Sequence, residues 1–162
     1  MNRLYKELRI ASRLESLTQV ERFVEEICDA YYITNSYFGN ILLAIEEGVK
    51  NAIIHGNKQD PQKDVLVTFT SLANSLCFVI SDEGSGFDTY KVPDPLSADD
   101  ADIETTGKGI FLIRSLADKM QFNPSGNQVE IIFYISSIYH ETTLNRISQL
   151  NRYFQKQKSL AK

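Results

Sequence analysis

Tryptophan is absent from this chain, histidine and cysteine occur twice each, and proline occurs four times in 162 residues. Cys28 and Cys77 stand far apart with no C-x-x-C and no His/Cys metal spacing, so a disulfide framework and a zinc module are both excluded. They read as two reduced core thiols of a cytosolic protein. No apolar run approaches the roughly 20 residues that a membrane helix needs. The opening MNRLYKELRI is too polar for the apolar centre of a signal peptide. Positive charge is not in excess either: the net charge is −4 and the isoelectric point is near 5.2, which argues against nucleic acid as a partner. These absences leave a cytoplasmic protein that binds neither membrane nor nucleic acid. What is present is an ordinary globular composition, 43% hydrophobic and 23% charged, in a length that suits one domain.

No internal repeat and no low-complexity tract interrupts the chain. Residues 3–12 alternate loosely through Leu4, Leu8 and Ile10 and read as a first strand. From Thr18 to Tyr31 the apolar positions Val20, Phe23, Val24, Ile27 and Cys28 fall at helical spacing, with Thr18 and Glu21 as a capping box. A second helix is expected from about Ser36 to His55, buried through Phe38, Ile41, Leu42, Ile45, Val49, Ala52 and Ile53, and ended by the turn-rich GNKQDPQKD. Two strands, 65–72 and 76–82, flank the turn Ala73-Asn74-Ser75. Residues 83–107 form a long loop, 109–120 an amphipathic helix and 129–135 a closing strand. Residues 140–158 read as a further polar helix, so the expected division is a domain over 1–138 and a helical extension over 139–162. The order is strand, two helices, hairpin, loop, helix and a two-strand finish. It predicts an α+β fold, a two-layer sandwich with a mixed, mainly antiparallel sheet and helices on one face.

Three places carry chemistry. On the second helix Glu47, Asn51 and His55 are spaced at four and share a stripe, whereas Glu46 points about 100° away. A carboxylate and an amide oxygen are hard donors of the kind Mg²⁺ takes, although a solvated helix face would look the same in isolation. Directly after a strand comes Asp82-Glu83-Gly84-Ser85-Gly86-Phe87. Alternating glycines there allow a sharp turn and close backbone approach to a ligand, and an ionised Asp accepts hydrogen bonds such as those of an exocyclic amine. The same segment would also serve as a plain loop. The third place is Thr106-Gly107-Lys108-Gly109 at the opening of a helix, where free N–H groups make an anion site or merely a helix-capping turn. It is neither a Walker loop nor a dinucleotide fingerprint, because Asp102 stands where the first needs Gly and no strand immediately precedes it.

Taken in order, the three segments resemble the boxes of the GHKL ATPase superfamily, which has the Bergerat fold of gyrase, heat-shock chaperones and histidine kinases. The first box is read in Glu47-Gly48-Val49-Lys50-Asn51 through Asn57, the second in Asp82 through Phe87, and the third in Gly107-Lys108-Gly109 through Leu112. Within that superfamily NAIIHGN and GKGIFLIRSLAD look most like the bacterial anti-sigma factor serine kinases, and the resemblance spans residues 5–135. Many relatives carry Gly-Thr before the last strand, with the Thr near adenine; here the pair is Gly126-Asn127.

The resemblance implies binding of ATP with Mg²⁺. By position, Asn51 holds the metal, Glu47 is the general base and Asp82 reads the adenine amine. Gly84, Gly86 and Phe87 close on the nucleotide, Thr106, Gly107, Lys108 and Gly109 cap the phosphates, Asn127 lies by the base, and residues 88–106 form a lid. His55 is expected to pack behind the site rather than to act in it. The implied activity is phosphorylation of a serine on an anti-anti-sigma (STAS-type) antagonist, with a sigma factor as second partner and a homodimer as the usual assembly. Two other readings stay open: a nucleotide-gated binding module without chemistry, and a stand-alone histidine-kinase ATPase domain. The last is disfavoured because no two-helix segment with a phosphorylatable histidine precedes the first box; the histidines are His55 and His140.

Overall fold

The computed structural model describes residues 4–89 and 105–136, together with Ile138 and Leu144. Most of the expected lid, and the C-terminal extension apart from an exposed Leu144, lie outside the described residues. Among the described residues, five strands build one sheet in the order β1-β2-β3-β5-β4, formed by β1 (Tyr5–Ala11), β2 (Asp64–Leu72), β3 (Ser75–Asp82), β4 (Lys119–Phe122) and β5 (Gln128–Tyr134). Every pairing among the described residues is antiparallel, so of the expected mixed, mainly antiparallel sheet only the mixed part is corrected. Strand β4 is a second correction. Lys119 and Met120 continue the helical spacing of the preceding segment, yet they pair with Ile132 and Ile131 in β5. Backbone pairing overrides a periodicity that two residues are too few to settle.

The period-two pattern of the strands puts Ile10, Val65, Val67, Phe69, Leu76, Phe78, Ile80, Val129, Ile131 and Phe133 on one face, all within the hydrophobic core. Three helices cover that face: α1 (Leu17–Ala30), α2 (Asn35–Asn51) and α3 (Thr105–Leu116). Helix α1 contributes Val20, Phe23, Val24, Ile27 and Cys28, as its spacing predicts. The Thr18–Glu21 capping box does not form: the Thr18 hydroxyl donates to the Glu15 carbonyl. Helix α2 buries Ile41, Ala44, Ile45 and Val49. Phe69, Phe78 and Phe133 stack edge to face or tilted at centroid distances of 5.1 and 6.2 Å, locking the middle of the sheet. Ile138, just past β5, is buried in the same core.

One irregularity positions the site. Helix α2 does not run on to His55 as an α-helix; Ala52–Gly56 form a π-turn. The π-turn carries the chain from Asn51 to His55, both of which line the cavity at the sheet end, and such turns are frequent at functional sites.

Candidate functional site

At the end of β3 and β5 the helix layer stands away from the sheet and leaves a cavity of about 360 Å³. Its floor is apolar, formed by Ile80, Val129 and Phe122 from the strands and Ile110 and Ile113 from α3. The polar groups converge at its edges: Asn51 and His55 from α2 and the π-turn, Asp82 from β3, and Asn127 ahead of β5. An apolar slot with a few converging polar atoms is the usual make-up of a small-molecule site, and the volume falls in the range of about 300–1,000 Å³ for such sites.

Asp82 follows Ile80 on the inward face, so β3 itself aims the carboxylate into the slot. Its Oδ1 accepts the Gly84 N–H at 2.8 Å. Burial raises its pKa above the ordinary carboxylate value, more than the Gly84 N–H and the Lys63 charge lower it. Asn127 stands on the next rung of the ladder, its carbonyl accepting the Asp82 N–H at 3.0 Å.

The glycine loop after β3 is pinned from three sides. Asn57, buried just past the π-turn, donates from Nδ2 to the Asp64 carbonyl at 2.8 Å and accepts the Glu83 N–H on Oδ1 at 2.8 Å. Glu83 Oε2 in turn accepts the Asp64 N–H at 2.7 Å. A closed ring of three hydrogen bonds therefore ties the helix exit, the start of β2 and the loop together. Beyond it, Gly86 and Gly126 both take left-handed backbone, with φ of 75° and 73°. A Cβ on Gly86 would overlap the Ser125 carbonyl, and one on Gly126 the Phe87 backbone. The two turns thus interlock without side chains between them, and Phe87 packs edge to face on Phe122 at 5.0 Å.

Across the slot, Gly109 brings α3 against α2. A Cβ there would lie 3.0 Å from Glu47 Oε2 and 3.2 Å from Asn51 Oδ1, so the carboxylate and the carboxamide converge on one point of the α3 backbone. The other carboxylate oxygen, Glu47 Oε1, accepts from Lys50 Nζ at 2.9 Å.

The cavity wall therefore includes Asn51, Asp82, Gly86, Phe87, Gly107 and Asn127 from the sequence-expected set. Glu47 and Gly109 are not part of the wall but face each other beside Asn51, which is, and Gly84 packs on the Gly56 carbonyl. Lys108 is exposed, and the Thr106 side chain lies outside the described residues. Helix α3 begins at Thr105 rather than at the expected 109, so Gly107 and Gly109, expected to open the helix, lie within its first turns. His55 is exposed on the cavity wall rather than packed behind the site. Ile80, Val129 and Phe122 are wall residues that the sequence motifs do not mark. The first two are legible as the inward positions next to Asp82 and Asn127, whereas the helical spacing before β4 conceals Phe122.

The family model of the histidine kinase-like ATPase domain matches residues 10–133, a stretch that contains the whole cavity. The chain belongs to this family. Within the family it is similar to the serine-protein kinase RsbW of Bacillus subtilis (strain 168), with 23% identity over 148 residues, 86% of this chain and 92% of the relative. It is also similar to the serine-protein kinase RsbW of Staphylococcus aureus (strain JH9), with 25% identity over 136 residues, 80% of this chain and 86% of the relative. Among solved structures, that of the RsbU and RsbW domains of a Mycobacterium tuberculosis protein aligns with a TM-score of 0.50 at 16% identity. The alignment covers 80% of this chain and 32% of that longer one, and it supports the α+β ATPase fold. Among the described residues no helix is long and apolar enough to cross a membrane.

Proposed function

We propose that this protein is an ATP-dependent serine kinase of the anti-sigma type. It phosphorylates a serine of an antagonist protein and holds a sigma factor when the antagonist is unavailable. The observation that supports it most is the convergence of Glu47 and Asn51 on the α3 backbone at Gly109, with Asn51 also lining the slot that Asp82 edges. Its relatives named as serine-protein kinases favour the same reading.

Magnesium fits the donors present. Asn51 offers a hard amide oxygen, and among the described residues no cluster of three His, Cys, Asp or Glu side chains competes as a tighter metal site. One protein oxygen beside phosphate and water oxygens is the arrangement Mg²⁺ commonly keeps with nucleotides. When bound, the ion supplies charge neutralisation on the phosphates.

The chain's own groups do the rest. Ile80, Val129 and Phe122 take the flat base and exclude water, Asp82 accepts its exocyclic N–H, and Gly86 with Phe87 closes the edge. Gly107 and Gly109, with Thr106 and Lys108 beside them, bring the start of α3 to the phosphates, where unpaired helical N–H groups favour an anion. Glu47 takes the proton of the incoming serine hydroxyl, with Lys50 holding its second oxygen. The test is transfer of radiolabelled phosphate from ATP to a serine of a small STAS-type partner. Its absence with every antagonist encoded beside the protein, despite ATP binding, would leave a nucleotide-gated binder instead.

A further inference from the structure

Asn123 lies outside the cavity wall, yet its hydrogen bonds decide what the wall offers to a base. Its Oδ1 accepts two backbone N–H groups, from Asn127 at 3.1 Å and from Gln128 at 3.2 Å. Backbone N–H groups only donate, so the atom facing them must be oxygen, and the orientation of the Asn123 amide is set by its partners. Its Nδ2 therefore points the other way and donates to Asn127 Oδ1 at 2.8 Å. That bond sets the second amide in turn: Asn127 has its oxygen engaged, and Nδ2 is the end left for a ligand at the cavity wall.

Asp82 mirrors this on the neighbouring rung. Its Oδ1 is taken by the Gly84 N–H, leaving Oδ2 as an acceptor. The wall thus presents one acceptor and one donor on adjacent strands, joined by the Asp82 N–H to Asn127 carbonyl bond. Adenine offers the complementary pair on one edge, an amine donor at N6 and a ring acceptor at N1. Guanine and hypoxanthine offer the reverse, an acceptor at O6 and a donor at N1. We infer that Asn123 is the specificity-determining positioning residue of the base site, fixing the Asn127 amide as a donor to N1 and so selecting adenine over 6-oxopurines. The inference rests on the nucleotide reading above and extends it to a residue that touches no ligand.

The test compares ATP with 1-deaza-ATP, in which a C–H replaces N1, by calorimetry with Mg²⁺ on the full chain. Wild type is expected to bind ATP about tenfold more tightly, the effect of leaving one buried donor unpaired. Asn123→Asp keeps an oxygen for the two backbone N–H groups but puts a second acceptor against Asn127, whose amide must then turn its oxygen to the base. The preference should disappear or invert, with the melting temperature held near the wild-type value. Asn127→Ala should remove the preference whatever stands at 123. Destabilisation alone weakens both ligands together and leaves their ratio unmoved. An unchanged ratio in Asn123→Asp overturns the inference, as does a wild type that binds both nucleotides equally, and in either case the ATP site itself stands. Binding of neither nucleotide overturns the site and the inference together.

Discussion

Lys50 Nζ lies 2.9 Å from Glu47 Oε1, one turn apart on α2, while the other carboxylate oxygen faces Gly109. Each oxygen of the candidate base therefore has a separate neighbour. If Glu47 serves as base, Glu47→Gln keeps the shape and should slow phosphate transfer by about 10²–10⁴-fold. The ATP dissociation constant should change little, because Glu47 is not among the residues that line the slot. Transfer and binding assays run side by side check this. Lys50→Met should change stability by no more than about 0.5 kcal/mol, since a partly exposed pair at this spacing contributes little.

The half-buried Asp82 carries a cost that protonation, or a ligand donating a hydrogen bond, relieves. Its pKa is raised from the ordinary 3.8, so the folded state binds its proton more readily than the unfolded chain does. Stability without nucleotide is then lowered by this group at neutral pH, and that loss fades as pH falls through the window just above 3.8. Asp82→Asn, which keeps an oxygen for the Gly84 N–H, should raise the melting temperature of the nucleotide-free protein at pH 7. The gain over wild type should shrink toward acid pH, and ATP binding should weaken at least tenfold. Thermal melts across pH, with and without ATP, measure both halves.

The Asn57 ring makes a graded prediction. Asn57→Ala removes a buried amide and leaves the partly buried Glu83 N–H and Asp64 carbonyl without their partner, and should cost about 1–3 kcal/mol. Glu83→Ala removes only the exposed arm of the ring and should cost less than about 1 kcal/mol. Urea unfolding of the two variants gives the comparison. Equal losses would mean that the ring does not act through the buried amide.

Glycines at two places should respond with opposite sign. Gly126→Ala must hold a side chain at φ 73° against the Phe87 backbone, and should destabilise by at least about 2 kcal/mol with weaker nucleotide binding. Gly39 lies inside α2, and a Cβ added there would meet nothing within 4 Å. Gly39→Ala should therefore stabilise by roughly 0.5–1 kcal/mol. Denaturation midpoints decide both.

Much of this molecule is written in short-range patterns, and the failures share a cause. The α1 stripe and the alternation in β2 are periodic over enough residues to declare themselves, and β3 is legible as a short apolar run after a turn. Strand β4 spans only Lys119–Phe122 after a helical run, and its identity depends on β5, which comes later in the chain. The all-antiparallel sheet likewise follows from pairing partners, which periodicity does not encode. At the site, Asp82 and the glycines are visible because few other residue types suit those turns, and Asn51 because it shares a helical stripe with Glu47. The Asn57 ring and the Asn123–Asn127 lock are not, since an asparagine in a turn-rich stretch reads as a turn residue until its partners are known. The π-turn at Ala52–Gly56 is also beyond reach: its apolar spacing passes for the α-helix it interrupts.

On the proposed function, the protein grips a nucleotide between α2 and the loops at the sheet end. Titration calorimetry of ATP into the protein at millimolar magnesium tests that most directly, with Asn51→Ala alongside. Saturable heat from wild type that disappears, or weakens at least tenfold, in Asn51→Ala is the predicted result. No heat from wild type, or an isotherm that Asn51→Ala leaves unchanged, would contradict it.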